Sequence, residues 1–234
     1  MLNLVFDYEL WQEGIYHYCQ WDYKKVPHML VFGSTGSGKT YLVRTVLARV
    51  GLKIPDASTI LCDYKADDFS FLRGAPNHFE FTQCSDGLDR FYNEFLRRQS
   101  GEDNSRSFKL LMFDEWASYL NMLEKKEADS ARAKLSTLLM LGRSFNVHVL
   151  ISQQRADAEY FSKARDNFGL IIGLGNLSRE SAAMFNFDRD EMTAVSGMGC
   201  GYMMTNGTNM KAIRVPAVRD IAKIEKFIRK TVSQ

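Results

Sequence analysis

Little in this chain could staple it or break it. Only four prolines and four cysteines occur in 234 residues. Cys19, Cys62, Cys84 and Cys200 stand far apart, with no Cys-x-x-Cys pair and no histidine nearby at metal-ligand spacing. That scatter argues against a disulfide framework and a zinc knot, and implies reduced thiols in a cytoplasmic setting. No run reaches the ~18 consecutive apolar residues of a membrane-spanning helix. The opening MLNLVFDYELWQEG lacks a basic stretch followed by an apolar one, so no secretory signal is expected. An excess of one charge is missing too: 30 Lys and Arg against 28 Asp and Glu leave a net charge of +2. A uniformly basic, nucleic-acid-coating chain is thereby excluded. Any contact with DNA must come from local patches or from charge concentrated by assembly.

What is present is a globular pattern, 45% apolar and 25% charged, without internal repeats or low-complexity linkers. Short apolar runs alternate with helical spacing. Residues 29–32, 59–63, 78–82, 109–115, 147–152 and 169–175 read as strands, and residues 41–50, 88–98 and 133–141 as helices. CGYMMT and KAIRV flank the turn NGTN and predict a hairpin. The tail puts Ile221, Ile224, Phe227 and Ile228 on one face of a last helix. SGEDNSRS (100–107) and EKKEADSARAK (124–134) are expected as exposed loops. Strands alternating with helices predict an α/β fold, a mainly parallel sheet with helices on both faces and a C-terminal β-hairpin plus helix.

One turn carries specific chemistry. Gly33-Ser34-Thr35-Gly36-Ser37-Gly38-Lys39-Thr40, continued by Tyr41, fits G-x-x-x-x-G-K-[ST] between an apolar strand and a helix. Glycines let successive N–H groups turn inward toward phosphate oxygens, and the helix that follows aims its positive end at them. Lys39 would reach the β- and γ-phosphates, and the Thr40 hydroxyl would ligate Mg²⁺. LLMFDE then delivers two acids at a strand end: Asp114 to hold Mg²⁺ and Glu115 to polarise an attacking water. Gln153, at the end of the next strand, could sense the γ-phosphate. Arg143 could be a finger completing a neighbouring subunit's site or an ordinary surface arginine.

Beyond the turn, several stretches resemble the FtsK/SpoIIIE branch of the FtsK–HerA superfamily of DNA-pumping ATPases. Val26-Pro27-His28-Met29-Leu30-Val31 is similar to that family's Pro-His lead-in. Leu61-Cys62-Asp63-Tyr64-Lys65 resembles its Asp-Pro-Lys element, with Tyr64 replacing proline. Phe113-Asp114-Glu115-Trp116-Ala117 resembles its Asp-Glu-Phe-Ala, and residues 142–148 its Arg-Ala-Ala-Gly-Ile-His. Ser152-Gln153-Gln154-Arg155 is similar to Thr-Gln-Arg-Pro, which favours Gln154 over Gln153 as the sensor. Gly197-Met198-Gly199-Cys200-Gly201-Tyr202-Met203 resembles a late Gly-Met-Gly turn, without its Asp.

The resemblance implies a RecA-like P-loop NTPase fold in residues 26–234, after a short strand and helix appendage in residues 1–25. It implies ATP and Mg²⁺ as cofactors, a homo-hexameric ring, and DNA in the central channel with Arg155, Lys163 and Arg165 as lining residues. Arg143 then becomes the finger acting in trans. A minimal motor without the family's membrane segments or winged-helix domain is expected. A membrane-bound or relaxase-type partner would recruit it, in conjugative transfer, segregation or packaging. The absence of Asn-Lys-x-Asp disfavours a GTPase switch, and no arginine-rich lid suggests a nucleoside kinase. The other reading is a non-motor assembly factor whose bound ATP controls oligomerisation.

Overall fold

Apolar, β-branched runs bounded by turn residues settle into strands here because both faces of the sheet can be covered. The computed structural model describes residues 1–155 and 157–234, apart from the side chains of residues 158, 162 and 163. In chain order the elements are β1 (Leu2–Asp7), α1 (Tyr8–Gln12), β2 (Tyr18–Trp21), β3 (His28–Gly33), α2 (Lys39–Lys53), β4 (Ser58–Asp63), β5 (His78–Glu80) and α3 (Cys84–Gln99). They continue with β6 (Lys109–Asp114), α4 (Trp116–Met122), α5 (Lys125–Leu141), β7 (Val147–Gln153), β8 (Leu170–Leu174), α6 (Arg179–Met184), β9 (Cys200–Thr205), β10 (Asn209–Arg214) and α7 (Ile221–Val232). All the described strands join one sheet in the order β2-β1-β10-β9-β8-β3-β7-β6-β4-β5. The run from β8 to β5 is parallel. The run from β9 to β2 is antiparallel.

Side-chain alternation divides the core into two layers. Leu30, Phe32, Leu111, Phe113, Val149 and Ile151 face α3, α4 and α5. Met29, Val31, Leu110, Met112 and Leu150 face α2 and α7. Gly51 lets α2 and α7 cross closely, since a Cβ there would stand 2.2 Å from the Phe227 carbonyl oxygen. Residues 1–25 supply β1 and β2 to the same sheet, and Leu2, Leu4, Val5 and Trp21 lie in the same core.

Three local expectations need correction. Residues 124–134 are not a loop but the first half of α5, opened by a reciprocal capping box between Glu124 and Glu127. Ala128 and Ala131 extend the buried face of Leu135, Leu138 and Leu139. The strand expected through residue 82 stops at Glu80, where Phe81 turns to φ 47° and starts a 3₁₀ turn. Of the face expected for α7, Ile224 and Phe227 pack against the core and Ile228 is buried, but Ile221 is 60% exposed, and the buried face runs on through Thr231 and Val232. The loop 100–107 is a loop, pinned by the buried Arg98 guanidinium. That group donates to the carbonyls of Ser107 (2.9 Å) and Phe145 (2.8 Å) and pairs with Asp103.

Two of the buried histidines, His28 and His148, lie near the N-terminal ends of the adjacent parallel strands β3 and β7. The His28 ring accepts from the Val149 N–H at 3.1 Å. His148 stacks on Phe108 with ring centroids 4.1 Å apart. Burial pushes His28 down to about 3 and His148 down to about 4, so both are neutral in the fold. The unfolded chain takes up protons below about pH 6.5, whereas the folded chain does not until far lower. Stability from these groups is therefore full above about pH 6.5 and is lost as pH falls toward about 3. Urea midpoints are expected to be lower at pH 5 than at pH 7.5, with His148→Phe losing part of that slope; an unchanged midpoint would show that burial does not hold the rings neutral.

Candidate nucleotide site

The register of the parallel strands gathers the site at one edge of the sheet. Asp63 of β4 pairs with Asp114 of β6, Asp114 with Ser152 of β7, Phe32 of β3 with Gln153, and Gly33 with Leu174 of β8. All of these lie at the C-terminal ends of their strands, where open α/β sheets bind ligands.

Between β3 and α2 the glycine turn is shaped by close approach. Gly33, Gly36 and Gly38 take φ of 154°, 79° and 101°. A Cβ on Gly33 would lie 2.5 Å from the Leu174 carbonyl oxygen, and one on Gly38 3.2 Å from Gly199. The Gly199 N–H donates to the Ser37 carbonyl at 2.9 Å, tying the loop to the turn before β9. Ser34, Thr35 and Gly36 are exposed, and Ser37 is buried with no partner for its hydroxyl among the described residues. Tyr41 is half-buried and packs against the α2 side of the core. No side chain caps α2, so its first-turn N–H groups face the loop.

The charged groups fit a phosphate and a divalent cation. Buried Lys39 donates from Nζ to the carbonyls of Gly33 (2.7 Å) and Ser34 (3.1 Å), acceptors of the kind a phosphate would offer. Burial lowers its pKa, against the opposing charges of Glu115 and Asp114. Burial pushes Asp114 up to about 7, and the charges of Glu115, Asp63 and Asp68 add to the push. Such a crowd of acids suits a cation. Glu115 is 2% exposed and caps α4 from a left-handed conformation, φ 54°. Its N–H donates to the Ser152 carbonyl at 2.7 Å.

Around Glu115 the structure separates the two glutamines. Gln154 is exposed and its Nε2 lies 3.4 Å from Glu115 Oε1. Gln153 is fully buried, and its amide donates to the Arg155 carbonyl. Lys65, to which sequence reading gave no role, pairs with Glu115 at 3.2 Å. Burial alone would lower Lys65, but the Glu115 carboxylate outweighs it and holds the pKa up. Asp68, also missed, accepts from the Thr40 hydroxyl at 3.1 Å. Lys65 closes the stretch that resembles the Asp-Pro-Lys element, though without an assigned task, and Asp68 stands in no recognised pattern; the β4–β5 connection brings both in. Arg143 is exposed in the 3₁₀ turn before β7, at the edge opposite the phosphate loop. Arg155 follows Gln154, with its side chain 80% exposed and 3.8 Å from Asp157. Arg165 pairs with Asp166 shortly before β8, and the side chain of Lys163 lies outside the described residues.

The sequence model of the FtsK/SpoIIIE family matches residues 6–175, from β1 through β8. The chain belongs to that family. It is a P-loop ATPase with the FtsK-type motor fold. YdcQ of Bacillus subtilis, an FtsK domain-containing protein, is 29% identical over 68% of this chain and 36% of its own length. The DNA translocase FtsK of Staphylococcus epidermidis is 22% identical over 78% of this chain and 26% of its own length. The chain thus spans about a third or less of either relative. Among solved structures, the cytoplasmic domain of the Thermomonospora curvata type VII secretion ATPase EccC superposes with a TM-score of 0.72. That match is 19% identical and covers 98% of this chain and 30% of EccC. The pCW3 conjugation coupling protein TcpA, solved with ATPγS, gives 0.65 at 18% identity, over 85% of this chain and 62% of that one.

The family's phosphate loop depends here on absent side chains. Gly33→Ala should lower unfolding stability by about 1–3 kcal/mol through backbone strain and overpacking, measured by urea denaturation. A wild-type midpoint would mean that the β3–β8 approach is looser than described.

Proposed function

We propose that this chain couples Mg²⁺-dependent ATP hydrolysis to movement of DNA through a homo-hexameric ring. The observation that carries this reading is Glu115, buried and held in a left-handed turn between Lys65 and Gln154, one residue beyond Asp114. A protein that only bound nucleotide would not need a strained, water-poor carboxylate at that point.

Each side chain then has a task. The inward N–H groups of residues 33–38 bind phosphate oxygens, and Lys39 exchanges its two carbonyl partners for the β- and γ-phosphates. Thr40 and Asp114 hold Mg²⁺, which neutralises charge on the phosphates when bound. Glu115 orients the attacking water and takes its proton. Gln154, in contact with Glu115, passes the state of the γ-phosphate to Arg155 and the segment beyond it. Arg143 stands away from its own chain's loop, so its use is in trans, against the γ-phosphate of the neighbouring subunit. Arg155, Lys163 and Arg165 would multiply around a ring into a basic lining that grips phosphate without reading sequence.

DNA is favoured as cargo because the sequence relatives include named DNA translocases, whereas the secretion ATPase shares the fold at lower identity. Among the described residues no helix is long and apolar enough to cross a membrane. In this reading the motor acts in the cytoplasm, recruited by a membrane-bound or relaxase-type partner.

Steady-state hydrolysis with and without long double- and single-stranded DNA tests the reading. Turnover should rise several-fold with DNA at low salt and lose that rise as salt is added. Glu115→Gln should lower turnover by about 10²–10⁴-fold, while Lys39→Ala should lose nucleotide binding. Turnover indifferent to DNA, at concentrations where the protein assembles, would replace the motor with an assembly factor controlled by its nucleotide.

A further inference from the structure

The β4–β5 connection is built to hold one more acid at the phosphate site. Asp63 closes its first turn by accepting from the N–H groups of Ala66 (3.1 Å) and Phe69 (3.2 Å), with Ala66 at φ 57°. Phe69 is buried beneath the Arg44 guanidinium, which lies 5.7 Å from its ring centroid and 5.1 Å from that of Phe71. The same guanidinium donates to the Asp68 carbonyl. These contacts fix the Asp68 backbone and leave its carboxylate against Thr40, with Oδ2 3.1 Å from the hydroxyl oxygen. Its charge is felt at Lys39, Lys65 and Asp114.

A threonine hydroxyl has one proton and two lone pairs. Donating that proton to Asp68 leaves both lone pairs free and turned away from Asp68. That is the orientation a cation ligand needs. Magnesium held by one or two protein groups keeps several waters, each a strong donor seeking an acceptor. Asp68, an acceptor already engaged with the Thr40 hydroxyl, answers both needs.

We propose that Asp68 is a positioning residue for the divalent cation, orienting the Thr40 hydroxyl and accepting from the cation's water shell. The inference rests on the Mg²⁺-ATP reading above and adds a third acidic group to the cation's surroundings. Partners that orient a metal ligand typically contribute 10- to 100-fold in metal affinity.

Fluorescent ATP-analogue binding, titrated with Mg²⁺, tests it in wild type, Asp68→Asn, Asp114→Asn and Lys39→Ala, with circular dichroism checking each fold. Asp68→Asn should raise the Mg²⁺ concentration at half-saturation by roughly 10- to 100-fold and leave nucleotide affinity in EDTA no weaker. Mn²⁺ binding followed by electron paramagnetic resonance should weaken in parallel. Asp68→Ser should behave alike and serves if the Asn variant does not fold. A wild-type Mg²⁺ curve in these variants overturns the proposal. So does a shift to lower Mg²⁺, which would make Asp68 a competitor for Thr40. Failure of the underlying reading looks different: wild type would bind no nucleotide, or Asp114→Asn would leave the Mg²⁺ curve unchanged.

Discussion

The whole arrangement depends on how closely β3 can pass its neighbours. Gly33 leaves no room for a Cβ beside the Leu174 carbonyl, and Gly38 almost none beside Gly199. With that gap closed, the phosphate loop is bonded to the turn before β9 through Ser37 and Gly199. The same Gly199 accepts from the Val215 N–H at the end of β10. The nucleotide loop is therefore continuous, by main-chain bonds, with the antiparallel half of the sheet. A shift of the loop on binding ATP would be felt at the hairpin without passing through any side chain.

Around that fixed loop, charge is arranged by backbone geometry rather than by surface composition. Lys39 is drawn onto carbonyls, Glu115 is turned inward by a left-handed residue, and Lys65 and Asp68 arrive on a loop tied down by Asp63. The result is a local excess of acid in a chain whose overall charge is nearly balanced. Such a site stores acid–acid repulsion that a cation relieves, and a bound cation in turn favours the anionic phosphate, so the two ligands should help each other bind.

The sequence made the phosphate loop and the Asp114-Glu115 pair legible because their constraints are local. A turn needing positive φ must use glycine, and an acid at a buried strand end is conspicuous after an apolar run. The register that aligns β4, β6, β7 and β3 was not legible, because continuous apolar runs buried on both faces do not specify one. Other features depended on contacts made at a distance. Lys65 was marked only by likeness to the Asp-Pro-Lys element and Asp68 by nothing, and only the fold brings them to Glu115 and Thr40. The charged run 124–134 concealed its helix because alanines, not large apolar residues, mark its buried face. Ile221 satisfies the helical period of α7, yet that end of the helix extends past the core.

The sheet joins strands that lie far apart in the sequence. Phe6 of β1 lies opposite Arg214 of β10, so that ladder cannot form until the residues between them have been made. During synthesis β1 can pair with the nearby β2, but its other edge stays open while the intervening residues emerge. Long-range pairing of this kind slows folding, and an open edge invites pairing with other chains. Yield on overexpression should therefore depend on how quickly the last strands follow the first.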